Sequence, residues 1–220
     1  MKALSLWNPW PEAIFLPKEI EVDGPDGAVV KVALKAKSIE NRGRWVDGTP
    51  QLAQGRRLVG STFLLHAAQR YRRVAFDETV EAILDVLNPA PGPARLAVLA
   101  RFAVTEVALR GRHHGEGIFV PAPAMPFGAL VGTAKLAALV QTLPGGCRVP
   151  LFSGMVPPCP LCGETRLRGA LTCPKADPWA QRGAVGLVLD EVRRLPAPIR
   201  YAGSQGWFDV DEKVLKMGAT

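Results

Sequence analysis

The sequence predicts an α+β fold, a small mixed β-barrel flanked by helices, and three observations point there. Apolar runs of strand length are numerous and short: Ala3–Leu6, Phe63–Ala68, Leu130–Ala134, Ala184–Leu189 and Trp207–Val210. Many short strands with few long helices suit a small barrel decorated by helices. A glycine-containing turn, 23–27, separates two β-branched arms, as in a β-hairpin. One stretch, 77–87, carries helical spacing, with Val80, Ile83, Leu84 and Leu87 on one stripe.

A chain of 220 residues buries one substantial core, and the expectation is one domain, 1–220, with sizeable insertions. The apolar fraction of 48% is ordinary for a globular protein, and no uncharged apolar run approaches the roughly 18 residues of a membrane span. No membrane partner is expected. The amino-terminal Met1-Lys2-Ala3 leads into a strand with no secretory h-region, so a cytoplasmic location is expected. The net charge of +7 favours polyanionic partners such as nucleic acid, although it has no polybasic tail; any patch must be assembled by folding.

In chain order, Pro9-Trp10-Pro11 makes a corner, and Glu12 to Leu16 gives a helical turn or two before Pro17. Residues 19–22 and 28–34 form the hairpin. Residues 43–60, rich in Gly, Arg, Pro and Gln, are expected as a loop carrying Arg44, Trp45, Arg56 and Arg57. Trp45 covers the core edge in the plainer reading and stacks on a base in the functional one. Gln69 to Arg73 is a short basic segment. Asp77 is expected to cap the following helix, which the proline-rich 88–93 stops. Residues 94–109 read as a second helix or a strand pair, with alanine content favouring the helix, and 111–126 as a loop holding Arg112, His113, His114 and Glu116. Gly132 lies in a central strand, 195–198 is an exposed connector, and the strand at 207–210 closes the sheet.

The densest polar pattern is Lys37-Ser38-Ile39-Glu40-Asn41-Arg42. On a strand, side chains two apart share a face, so Ser38, Glu40 and Arg42 point one way and Lys37, Ile39 and Asn41 the other. The plain reading is a polar edge strand running into the Gly43 turn; the functional one is the floor of a site. Six blocks occur in order: LSLWNPW at 4–10, KSIENR at 37–42, LLHAA at 64–68, GALVGTAKL at 128–136, DPWAQRGAVGLVLDEVRRLP at 177–196 and GSQGWFDV at 203–210. Together they resemble the ASCH domain family, whose members have a PUA-like fold. The blocks leave 17–36, 70–127 and 141–176 unaccounted for, and these read as three insertions: a β-hairpin, a helical segment and a cysteine-rich segment.

The resemblance implies a cleft that binds RNA, another single-stranded nucleic acid or a modified nucleobase. Lys37 and Arg42 would meet phosphate or base, Ser38 would lie beside them, and Glu40 and Asn41 would read a base edge. Ser204, Gln205 and Trp207 would line the opposite wall. His66 ends an apolar strand, where a core histidine bonded to backbone is the plainer reading and a site role the sharper. A bacterial branch of the family hydrolyses acylated cytidine with a Lys, a Thr and a Glu. Here Lys37 and Arg42 are kept, but Glu40 stands where the Thr falls, which argues against a hydroxyl nucleophile. A Lys37 and Glu40 acid–base pair is the catalytic alternative. Replacing Lys37 or Arg42 by Ala is expected to abolish binding with little loss of stability. Asp209, Asp211 and Glu212 are clustered but read as a solvated strand end rather than a nuclease centre.

Cys147, Cys159, Cys162 and Cys173 all fall in one inserted stretch, and Cys159-Pro160-Leu161-Cys162-Gly163 has the turn chemistry of a zinc knuckle. Four thiolates satisfy tetrahedral zinc with no open position, so the metal would be structural. Cys147 and Cys173 stand alone, which leaves free thiols and disulfides as alternatives; His113 and His114 read as a loop pair rather than as replacement ligands. Elemental analysis of freshly purified protein should find one zinc per chain, and chelation should raise hydrogen exchange mainly over 145–176. Absence of zinc with four titratable thiols in the native state would end the zinc reading.

Overall fold

Strand-length apolar runs cannot bury their backbone polar groups singly, and pairing settles where each one goes. The computed structural model describes residues 1–23, 28–43, 45, 47–89, 92–108, 117–142, 148–150, 178–181, 183–211 and 213–214. The fold is mixed α+β. Its elements in chain order are β1 (Lys2–Leu6), α1 (Trp10–Ile14), β2 (Glu19–Asp23), β3 (Val29–Ala33), β4 (Ile39–Arg42), α2 (Pro50–Leu58), β5 (Thr62–Ala67), α3 (Arg73–Leu87), α4 (Pro93–Arg101), β6 (Val104–Ala108), β7 (Gly117–Pro121), β8 (Ala129–Thr142), β9 (Arg148–Pro150), β10 (Val185–Arg200) and β11 (Trp207–Asp209). The main sheet has the order β11-β1-β5-β8-β10-β4, with β9 on β8; β2–β3 and β6–β7 are separate antiparallel pairs. The strand at 207–209 is therefore an edge of the sheet rather than its closure.

Two compact units are defined by contact. The first comprises Met1–Lys2, Ser38–Leu64 and Thr133–Arg193; the second comprises Ala3–Lys37, Leu65–Gly132 and Arg194–Thr220.

In the first unit β4 pairs antiparallel with β10, Val185 opposite Arg42 through Val188 opposite Ile39. Ile39 is fully buried against Gly186, whose missing side chain is what lets the two strands' contents fit. The expected loop at 43–60 instead contains α2. Pro50 sits at the first helical position, where its fixed φ and absent N–H cost nothing, and Arg56 and Arg57 complement the carboxyl end. Trp45 packs against Gly55 of α2 beside Leu139, so covering the core is its role. The expected connector 195–198 belongs to β10. Beyond Val188 no β4 residue pairs this strand, and Pro196 and Pro198 are tolerated where a ladder bond is not required.

In the second unit the hairpin forms as expected, Glu19 opposite Ala33 through Asp23 opposite Val29. Helix α3 begins four residues earlier than expected, at Arg73, and buries Phe76, Val80, Ile83 and Leu84. Asp77 is not its cap; its carboxylate accepts the Phe119 amide of β7 at 3.1 Å. Asn88 ends the helix in the left-handed region, donating to Leu84 O. The expected helix over 94–109 splits: α4 covers the alanine-rich part and the β-branched Val104-Thr105-Glu106-Val107 becomes β6. Its partner β7 lies in what reads as loop, and a bidentate ion pair from Arg95 to Glu106 (3.1 and 3.2 Å) ties helix to hairpin.

A side chain at Gly186 would overlap Ile39 Cδ1 and lie 2.9 Å from its Cγ1 and 3.2 Å from Val140 Cγ2. Gly186→Ala should therefore destabilise the protein by about 1–3 kcal/mol. Ile39→Val in the same chain should cost less than the two single changes summed, as a denaturation double-mutant cycle will show.

Candidate functional site

The polar block at 37–42 divides between the units, Lys37 to the second and Ser38 onward to the first. In the first unit β4 is the polar edge strand of the plainer reading. Glu40 and Arg42 share a face, as their spacing demands, and form an ion pair at 3.4 Å with side chains only 7% and 13% exposed. The Arg42 guanidinium also lies 5.5 Å from the Trp45 ring centre. Asn41 points elsewhere: its Nδ2 donates to Trp179 O at 2.7 Å and its Oδ1 accepts the Gln181 amide at 2.9 Å. One side chain thus anchors the 178–181 segment by both ends of its amide. Ser38 contributes its carbonyl to the Leu189 amide.

In the second unit His66 is 1% exposed. Its Nε2 donates to Tyr201 O at 3.0 Å, which leaves Nδ1 to accept from the Ser5 hydroxyl at 3.1 Å. Phe208 meets the ring edge-on at 5.3 Å. Gly203 lies so close that a Cβ there would sit 2.7 Å from Nδ1 and 2.8 Å from Nε2. This is the core histidine bonded to backbone. Burial pushes its pKa below the usual 6.5, and the Tyr201 carbonyl, which favours the protonated ring, opposes that only in part. Of the expected opposite wall, Ser204 and Gln205 are exposed, while Trp207 is buried.

The same unit holds a cavity of about 180 Å³ that no spacing argument singled out. It is bounded by the turn after β1 (Trp7, Asn8, Trp10), the segment Arg70-Tyr71-Arg72, the first turns of α3 and Phe127. Lys37, only 3% exposed, places its ammonium 3.9 Å from the centre of the Trp10 ring, a cation on an aromatic face. Lys37 also donates its amide to Ala13 O, at 2.8 Å. Arg72 lies 5.9 Å from the Trp7 ring centre. Tyr71 meets Phe76 and Phe127 edge-on, at 5.3 and 6.1 Å. Asn8 is 5% exposed; its Nδ2 donates to Pro126 O at 2.8 Å, and its buried Oδ1 accepts no hydrogen bond. An acceptor left in that state costs about 1–3 kcal/mol. The signals for this site are present in the chain, two tryptophans three apart and an Arg-Tyr-Arg-Arg run, but they lie about 60 residues from each other and only folding joins them.

No family model matches the chain, and no curated protein matches it. Among the described residues no helix is long and apolar enough to cross a membrane, and no cluster of His, Cys, Asp and Glu is placed to hold a metal. Cys147, Cys159, Cys162, Cys173, His113 and His114 lie outside the described residues.

Below pH 6.5 the unfolded chain takes up a proton at His66 that the folded chain resists, so this residue's contribution to stability is complete above that value and falls as the pH drops. His66→Gln should be less stable at neutral pH. Its denaturation midpoint should also decline less steeply than that of the wild type between pH 6.5 and about 5.

Proposed function

We propose that this chain is an ASCH-like, PUA-like module that binds single-stranded nucleic acid, RNA in preference, or a modified nucleobase. The observation that carries the reading is the aromatic and cationic cavity of the second unit, lined by Trp7, Trp10, Tyr71, Arg70 and Arg72, whose Trp10 wall is braced by the buried Lys37. Flat aromatic walls accept any base by stacking, and guanidinium groups at the rim meet phosphate. Two of the sequence blocks that carry the resemblance, 4–10 and 37–42, contribute Trp10 and Lys37. The net charge of +7 is of the sign that draws a polyanion. In this reading the segments 17–36, 70–127 and 141–176 are elaborations of a smaller barrel, and the four cysteines hold a structural zinc.

The residues of the block take different parts. Lys37, buried outside the residues that bound the cavity, sets its ammonium on the Trp10 wall and holds that ring in place. Glu40 and Arg42, paired with each other, and Asn41, holding the 178–181 backbone, keep β4 in place. Because Lys37 is buried against Trp10, its removal costs packing as well as charge, so Lys37→Met, which keeps most of the volume, is the variant to use.

Fluorescence anisotropy with labelled single-stranded RNA and matched DNA should show binding that weakens linearly with log salt, the slope counting the phosphates engaged. Trp10→Ala should weaken binding by about 1–3 kcal/mol through lost stacking. Lys37→Met should weaken it at unchanged circular dichroism. Binding to neither polymer would overturn the module and direct attention to acylated nucleosides as substrates.

A further inference from the structure

We infer that the outer edge of β3 pairs with the same edge of a second copy of this chain, so that two hairpins join into one four-stranded antiparallel sheet about a two-fold axis at Lys31. This does not depend on the nucleic-acid reading.

Backbone direction comes first. Lys18 O accepts the Leu34 amide at 2.7 Å, so these opposite residues form a hydrogen-bonded pair. The antiparallel ladder repeats that pattern every second residue, at Val32 with Ile20 and at Val30 with Val22. The N–H and C=O groups of Val29, Lys31 and Ala33 therefore point away from β2. Among the described residues β3 pairs with no other strand. Val29 is 63% exposed, Val30 is 45% exposed, and Lys31 and Ala33 are exposed as well. An open row of donors and acceptors on a β-branched strand is a template for another strand.

The order of residues on the edge selects which strand. Val29-Val30-Lys31-Val32-Ala33 reads apolar, apolar, Lys, apolar, apolar in either direction, so it complements itself. With the axis at Lys31, that residue lies opposite its own counterpart, Val29 lies opposite Ala33 of the second copy, and Val30 opposite Val32 of the second copy. Antiparallel pairing in this register joins the outward-facing residues 29, 31 and 33 to one another, which is what their backbone groups require.

Both faces of the joined sheet accept this register. On one face Val30 meets Val32 of the second copy, which extends the apolar row Ile20, Val22, Val30 and Val32 across the axis and takes an exposed valine out of water. On the other face the two lysines meet. A lysine on an edge strand ordinarily keeps other strands away. Here its ammonium already lies 2.9 Å from Glu19 and 3.8 Å from Glu21 of its own hairpin, so each positive charge arrives answered by carboxylates on the same face. A five-residue strand spans roughly 17 Å, and pairing over that length buries less than the roughly 1,200 Å² at which stable interfaces begin. The dimer is therefore a concentration-dependent one.

The experiment is sedimentation velocity on the full chain from about 5 μM to about 0.5 mM, with amide hydrogen exchange read by NMR at both ends of the range. Monomer should give way to dimer and stop there, because a two-fold contact uses up the edge. At the higher concentration the amides of Val29, Lys31 and Ala33 should exchange at least about threefold more slowly, while those of Val30 and Val32, already bonded to β2, should change far less. Ala33→Pro deletes an outward N–H without touching the hairpin's own ladder, and Val30→Lys sets a charge against an apolar neighbour. Each should raise the dimer Kd at least about tenfold. A chain that stays monomeric throughout would overturn the inference and leave the edge to a strand of some other protein. A dimer that ignores both variants, or whose outward amides exchange as fast as the monomer's, would overturn it by placing the contact elsewhere.

Discussion

The helix α1, only five residues long, is the constraint on which the second unit depends. A single helical turn has no stability of its own in water, because nucleation fixes several residues for one hydrogen bond. Distant segments hold this one in place. Lys37 sets its ammonium on Trp10 and its amide on Ala13 O. Arg194 comes from 182 residues away to pair with Glu12, which is 6% exposed, and covers Phe15 at 4.5 Å from the ring centre. A buried carboxylate without that partner would be far costlier than the pair. The side chains that fix the helix therefore also fix the position of Trp10, a wall of the cavity.

Polar side chains elsewhere are likewise spent on distant partners. Asn41 uses both ends of its amide on the 178–181 backbone, Asp77 leaves its expected capping role to serve the Phe119 amide, and His66 is satisfied at both ring nitrogens. The buried Oδ1 of Asn8, like the Thr142 hydroxyl, makes no such bond.

Part of the fold was legible in the chain. The hairpin 19–33, the stripe along α3 and the opening stretches of β8 and β10 express local periodicity and turn chemistry, which need no distant partner to be read; the full length of β10, through 195–198, was not legible. The misread stretches had conflicting local signals. Arginine and glycine in 50–58 suggested a loop, while Pro50 marked a helix start; alanine in 94–109 suggested one helix where β-branched residues made β6. The edge-strand reading of 39–42 and the core reading of His66 held because alternation and an apolar strand state them directly.

The sequence by itself determined which segments turn, which run straight and which carry charge, since those follow from each residue's own sterics and from neighbours three or four places away. It also offered Lys37 as a residue of interest. Only the tertiary structure decided what the other polar groups face: that Lys37 lies on Trp10, that Asn41 holds the 178–181 backbone, and that Asn8 meets Pro126. The physical reason is range. A hydrogen bond or a stacked cation is decided within a few ångströms, and the residues that come that close here are as far apart along the chain as Asn8 and Pro126.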